Sequence, residues 1–181
     1  MKNDSMHYAL RVRPATLDDL PAITAIYSHH VLHGLASFEV EPPDVGQMTQ
    51  RFSAIRALGL PYFVAEAGGK LAGYAYAAVY RTRPAYRYTV EDSVYVDNDY
   101  AGHGVGSALM PALIDGCAAA GRRQIIAVIG DSANHASIRL HAKFGFQHVG
   151  TLAAVGFKFG RWVDSVLMQK DVGDGQRSAP T

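Results

Sequence analysis

The segment Val94-Tyr95-Val96-Asp97-Asn98-Asp99-Tyr100-Ala101-Gly102-His103-Gly104-Val105-Gly106-Ser107 runs from an extended stretch through alternate glycines into a helical pattern. A strand that turns through glycines into a helix commits the chain to a fold that mixes sheet with helix. Gly102, Gly104 and Gly106 lack the Cβ atoms that hold a ligand away from a backbone, and the loop's free N–H groups plus the helix dipole favour an anion. A pyrophosphate fits that description. The G-x-G-x-x-G fingerprint fails because Ser107 stands at its third glycine, and the phosphate-binding Gly-Lys-Ser/Thr ending does not follow either. On its own the loop reads equally as a flexible strand-to-helix turn.

The surrounding pattern supplies the remaining elements. Leu10 to Pro14 reads as a short strand, and Thr16 caps a helix whose face carries Leu20, Ile23, Ile26 and Tyr27. A second helix fits Val45 to Leu58, after Pro42 and Pro43. Tyr62 to Glu66 and Lys70 to Tyr80 form a hairpin across Gly68 and Gly69. In Thr89 to Val96 the alternation sets Val90, Val94 and Val96 against Thr89, Glu91, Ser93 and Tyr95. Asp92 falls on the apolar side, which requires a bulge or a specific partner. A helix over Val105 to Ala120, a buried strand over Gln124 to Ile129 and an amphipathic helix over Asn134 to Phe144 follow, and Phe146 to Leu152 and Trp162 to Gln169 complete the sheet.

Composition narrows the class. At 181 residues with 49% hydrophobic side chains the chain suits one domain, expected over 10–170, with flexible ends at 1–9 and at 171–181. The 17 basic and 16 acidic side chains nearly cancel, so no broad field favours nucleic acid or an anionic membrane. No segment reaches the ~18 to 20 apolar residues of a membrane span, and the first residues lack a signal-peptide core; a soluble, cytoplasmic protein is expected. Cys117, the only cysteine, lies in an Ala-rich helical stretch and reads as a buried thiol rather than a nucleophile.

Downstream of the loop, at the distance of one helix and one strand, the chain reads Asn134-His135-Ala136-Ser137-Ile138-Arg139-Leu140-His141-Ala142-Lys143-Phe144-Gly145-Phe146. This order resembles the GNAT superfamily of N-acetyltransferases, whose glycine loop has the form Q/R-x-x-G-x-G/A and whose later helix reads N-x-x-(S/A)-x-x-L-(Y/H)-x-x-x-G-F. Ala101 departs from the usual Gln or Arg. The stretches from Thr89 to Val96 and from Val155 to Asp164 are similar to the phosphinothricin and methionine sulfone or sulfoximine acetyltransferases within it. The resemblance implies an α/β (α+β) GNAT fold: a mixed, mostly antiparallel central sheet with a splayed parallel strand pair and helices on both faces.

It also implies a chemistry. Acetyl-CoA would be the cosubstrate, held by Val94, Tyr95 and Val96 along the strand, by Gly102, His103, Gly104, Val105, Gly106 and Ser107 in the loop, and by Asn134 and Ser137 on the later helix. The amine would attack directly, through a tetrahedral intermediate whose oxyanion faces the backbone N–H of Val96. Glu91, on the polar face of the same strand, is the candidate base; its plain alternative is a solvated or ion-paired strand residue. His141, where many relatives have tyrosine, is either an acid for the departing sulfur or a satisfied core histidine. Arg81, Thr82 and Arg83 would meet a carboxylate or phosphinate, with Phe38, Glu91, Asp92, Ser93 and Asn134 completing the substrate site. Tyr86, Phe157 and Trp162 are further candidates for pocket walls.

His29, His30 and His33 suggest a metal, since His29 and His33 stand one helical turn apart, but nothing nearby completes a zinc set and no metal is expected. The expected activity is acetylation of a small amino-acid-like amine by a homodimer. Acetylation of protein or peptide N-termini and non-catalytic acetyl-CoA sensing remain the alternatives.

Overall fold

The computed structural model describes residues 9–180; of the N-terminal stretch 1–9, only residue 9 is among them. The elements are β1 (Leu10–Pro14), α1 (Leu20–His33), α2 (Val45–Ala57), β2 (Tyr62–Ala67), β3 (Lys70–Val79), β4 (Thr89–Val96), α3 (Val105–Ala119), β5 (Gln124–Gly130), α4 (His135–Lys143), β6 (Gln147–Lys158) and β7 (Arg161–Asp171). The strands form one sheet in the order β1-β2-β3-β4-β5-β7-β6. Every neighbouring pair is antiparallel except β4 and β5, which run parallel. This is the α+β arrangement expected from the sequence.

Two apolar clusters lie on opposite faces of the sheet. Leu20, Ile23, Ile26, Tyr27 and Val31 of α1 and Met48 and Phe52 of α2 pack with Val64, Tyr74 and Tyr95. Val105, Leu109, Met110 and Leu113 of α3 pack with Ala75, Ala77, Val90 and Ile125 on the other side, joined by Ile138 and Leu140 of α4. The period-2 alternation of β3 explains the division: Tyr74 and Tyr76 serve one layer, Ala75 and Ala77 the other. Arg13 locks the first edge, donating to Asp19 at 2.7 Å and to Glu66 at 2.6 Å, so that β1, the turn before α1 and β2 move together. Cys117 is buried against α3's partners, and burial raises its pKa to about 12, the protonated, unreactive condition expected of it.

Two elements differ from the sequence expectation. β6 does not stop at Leu152: Leu152 pairs with Ser165 and Gly156 with Val163, so extra β6 residues loop out between them before the strand resumes to Lys158. Ala154, at φ 54°, sits in that bulge, where its N–H donates to Asp164 Oδ1 at 2.9 Å. The bulge breaks the alternation, which is why the pattern read as a strand end. Beyond Asp171 the chain makes turns rather than running free of the domain: Val172 is buried, its N–H donates to Arg123 O at 3.0 Å, and Arg123 meets Asp174 at 3.3 Å. Residue 181 lies outside the described residues. Among those described, no helix is long and apolar enough to cross a membrane.

Gly73 allows α3 to begin close to the sheet. A Cβ there would stand 2.7 Å from Tyr95 O and 2.8 Å from Val105 Cγ1, and a backbone oxygen has little room to yield. Gly73→Ala is therefore expected to lower stability by about 1 to 3 kcal/mol, the usual cost of overpacking, read as a lower urea midpoint at constant slope.

Candidate functional site

The site begins where the sheet opens. β4 pairs with β5 only from Thr89↔Gln124 to Asp92↔Ala127, whereas β5 stays paired with β7 as far as Gly130↔Ser165 and β4 with β3 as far as Val96↔Gly73. Asp97 N–H donates to Ala72 O at 2.9 Å, so the odd-numbered residues of this strand bond toward β3. The backbone groups of Val94 and Val96 then face the gap. His30 of α1 reaches into it: its Nε2–H donates to Val96 O at 2.8 Å, which sets the ring's tautomer. Burial holds His30 below the ordinary histidine range, so it is neutral at pH 7.

On the α3/α4 side the gap leads to a cleft of about 500 Å³, lined among others by Val94, Val96, Gly102, Gly104, Ser107, Asn134 and Ser137. The first helical bond of α3 runs from Ala108 N–H to Gly104 O, so the amides of 105–107 precede the ladder and have no intrahelical acceptor. Gly102 and Gly104 adopt φ 79° and 82°, the left-handed turn that aims this end. Gly106 lines the cleft too, and a Cβ there would meet Leu140 Cδ2 at 2.8 Å, so its bareness also lets α3 and α4 touch. Arg139 and Lys143 of α4 line the same cleft, and Lys143 Nζ reaches Ser107 Oγ at 3.1 Å. The cleft thus presents unpaired amides, a helix N-terminus and two cations to an anion, and the α4 cations offset the side chain lost at Ala101. His103 is exposed, its Nδ1 at 3.0 Å from Ala101 O.

On the α1/α2 side the gap leads to a second cavity of about 400 Å³, lined by Tyr27, Ala36, Ser37, Phe38, Glu39, Tyr76, Glu91, Ser93, Tyr95, Val128, Gly130 and Ser165. Ala36 lines both cavities, and a narrow space of about 50 Å³ between Ser93, Val94, Tyr95 and Ala127 to Gly130 lies at the opening itself. Burial, then the charge of Asp92, lifts the Glu91 pKa above its ordinary value. Glu39 is held by Arg51 at 2.7 Å and by the Tyr27 hydroxyl at 2.9 Å. Burial opposes its ionisation, but Arg51 and Tyr27 together lower its pKa.

Asp92 found the partner its position required. It lies on the α3/α4 face, back to back with Glu91, and its Oδ2 stands 2.9 Å from His141 Nε2, with both residues buried. His141 Nδ1 donates to Ser137 O at 2.8 Å, so both ring nitrogens are engaged. Asp92 Oδ1, which is also buried, has no hydrogen-bond partner. Asn134 caps α4, its Oδ1 accepting from Ser137 N–H at 3.2 Å. Arg81, Thr82 and Arg83 line a separate cavity with Tyr86, and Arg81 lies over the rings of Tyr80 and Tyr86. Phe157 and Trp162 are exposed and line none of these cavities. The rings of His29 and His33 lie 4.9 Å apart, and no cluster of three metal-binding side chains occurs among the described residues.

The sequence reading did not select His30, Tyr27, Ser37, Glu39, Arg139 or Lys143. Arg139 and Lys143 stand four residues apart, one helical turn on the same face of α4, a legible signal. The others reach the site only through the packing of α1 and the 34–44 loop against the sheet.

Comparison with known proteins agrees with this geometry. Residues 24–146 match the acetyltransferase (GNAT) family. A phosphinothricin N-acetyltransferase from Alcaligenes faecalis is 55% identical over 172 residues, covering 95% of this chain and 87% of the relative. An L-methionine sulfoximine/L-methionine sulfone acetyltransferase from Salmonella typhimurium is 40% identical over 160 residues, 88% and 93% of the two chains. The crystal structure of a GNAT superfamily phosphinothricin acetyltransferase from Sinorhizobium meliloti in complex with AcCoA superposes with a TM-score of 0.92 at 45% identity, covering 95% of this chain and 93% of that one.

The buried His141 and the partly buried His30 are expected to titrate in opposite directions. Burial pulls His141 down, but the Asp92 hydrogen bond, the Asp92 charge and the Ser137 carbonyl outweigh it and raise its pKa above 6.5. Because the folded value is raised, the pair's stabilisation is complete below the ordinary histidine range and fades as pH climbs through the raised value. An NMR titration checks this: His141 midpoint above and His30 below the unperturbed value, with Asp92→Asn moving His141 downward.

Proposed function

Because the chain belongs to the acetyltransferase (GNAT) family, we propose that it moves an acetyl group from acetyl-CoA to the amino group of a small amino-acid-like substrate of the phosphinothricin, methionine sulfone or methionine sulfoximine type. The observation that carries this reading is the convergence of two cavities on one opening, a cationic cleft from one face of the sheet and the Glu91 cavity from the other. When bound, acetyl-CoA supplies an activated thioester. The amides ahead of Ala108, with Arg139 and Lys143, would hold its diphosphate, and the gap-facing backbone of Val94 and Val96 would align its pantetheine arm. A cavity of about 400 Å³ walled by Phe38 suits a free amino acid better than a peptide, which needs an open groove.

The protein's own groups then divide the work. A substrate amine arrives as ammonium and must lose a proton before its lone pair can attack. Glu91 takes that proton, directly or through water, and its raised pKa brings its basicity nearer to the working pH. The Val96 N–H supplies the oxyanion donor, a contact worth roughly 3 to 4 kcal/mol in acyl transfer. His141 fits support better than acid catalysis, because reaching a departing sulfur would break one of its two hydrogen bonds. Arg81 and Arg83 offer guanidinium groups to the substrate's acidic end, just beyond the β3 residues that pair with Glu91.

The enzyme works as a cytoplasmic homodimer in this reading. β6 is a sheet edge that shows Val149, Leu152, Val155 and Phe157 to solvent, with Trp162 beside them. An apolar edge strand of this kind invites a second copy.

Glu91→Gln is expected to cut kcat by about 10² to 10⁴ while acetyl-CoA affinity, read by calorimetry, stays unchanged. The wild-type rate should fall on the acid side with a midpoint above 4.5, the ordinary glutamate value. Equal turnover by the variant would remove Glu91 from the role. Light scattering should return twice the mass of one chain, and a single-chain mass would reject the dimer.

A further inference from the structure

The loop of residues 34–44 between α1 and α2 supplies Ala36, Ser37, Phe38 and Glu39 to the Glu91 cavity, and it has no helix or strand of its own. Its shape is imposed from the far end of the sheet. Lys158, at the end of β6, is 4% exposed, a rare condition for lysine. Its ammonium donates to Gly34 O at 2.9 Å and to Ser37 O at 2.7 Å. Two glycines make room for the same loop: a Cβ at Gly130 would stand 2.1 Å from Leu35 O, and one at Gly156 2.4 Å from the Phe38 ring.

Lys158 is itself held in place. It pairs with Arg161 across a two-residue turn in which Phe159 and Gly160 take φ 52° and 73°, the doubly positive geometry of a tight hairpin. The Phe159 ring centre lies 5.0 Å from Nζ. Burying an ammonium is unfavourable unless its N–H groups are satisfied, and here two of them close on carbonyls at either end of a bend. An apolar side chain of equal size would fill the space without fixing the bend. The loop's other polar groups are tied as well: Tyr27 Oη lies 2.9 Å from Ser37 Oγ, and Glu39 receives Tyr27 and Arg51.

From these contacts we infer that Lys158 is a positioning residue for the amine substrate, clasping the 34–44 loop so that Ser37, Phe38 and Glu39 form the wall of the Glu91 cavity. The inference rests on the acetyl-transfer reading above and adds to it a specificity element on β6. The charged groups of the coenzyme cleft, Arg139 and Lys143, lie on the opposite face and do not touch the clasp.

The test uses Lys158→Met, which keeps length but loses the donors, and Lys158→Arg, which keeps donors. Steady-state rates are measured with L-methionine sulfone and phosphinothricin, acetyl-CoA binding by calorimetry, and loop amide protection by hydrogen exchange. Lys158→Met is expected to raise the amino-acid KM by about tenfold to a hundredfold, the usual scale for a displaced positioning group. Acetyl-CoA affinity should hold, exchange should speed up in 34–41 but not in α3, and Lys158→Arg should recover most of the loss. An unchanged KM in Lys158→Met, or protection lost throughout the protein in both variants, overturns the assignment. Wild-type enzyme that binds acetyl-CoA yet acetylates neither compound overturns the acetyl-transfer reading instead, before any variant is made, and takes the positioning role with it.

Discussion

The parallel pairing of β4 with β5 ends at Asp92 and Ala127, and the site exists because it ends there. A sheet interior normally leaves no backbone group unpaired, so two strands part only if each is secured on its outer side. β3 holds β4 to Val96, and β7 holds β5 to Gly130. Between them the edges of Val94 and Val96 are turned toward a gap that a ligand can enter as a strand would. His30 occupies one of those edges from above, and the Asp92–His141 pair sits at the fork from below.

The same strand separates two tasks by its period of two. Glu91 and Asp92 are neighbours in sequence and lie on opposite faces of the sheet. Glu91 enters the α1/α2-side cavity, where burial and the charge of Asp92 raise its pKa; Asp92 is buried against an imidazole and carries structure. Removing a proton calls for a carboxylate that is partly desolvated and reachable, whereas holding α4 against β4 calls for one that is enclosed and paired. The proposed base and the enclosed, paired carboxylate thus come from one dipeptide.

Much of this was legible beforehand. The alternation of Thr89 to Val96 identified Asp92 as a residue needing a partner, and the glycine run marked the turn into the N-terminus of α3. Two readings of local structure changed on contact with the structure. The segment after Asp171 turned back onto the domain, because Val172 is buried there and Arg123 meets Asp174. β6 ran past Leu152, because a bulge conceals a strand's period.

What the sequence determined alone is the set of local structures and their chemical faces: periodicity, caps and glycines are near-neighbour properties, so strand β4, its loop and helix α3 could be read in order. Only the tertiary structure decided which distant groups meet. That Lys158 would reach Gly34 and Ser37, or His30 reach Val96, depends on strand order and helix placement. Such contacts follow from the packing of whole layers, and they leave no mark in the spacing of the residues that make them.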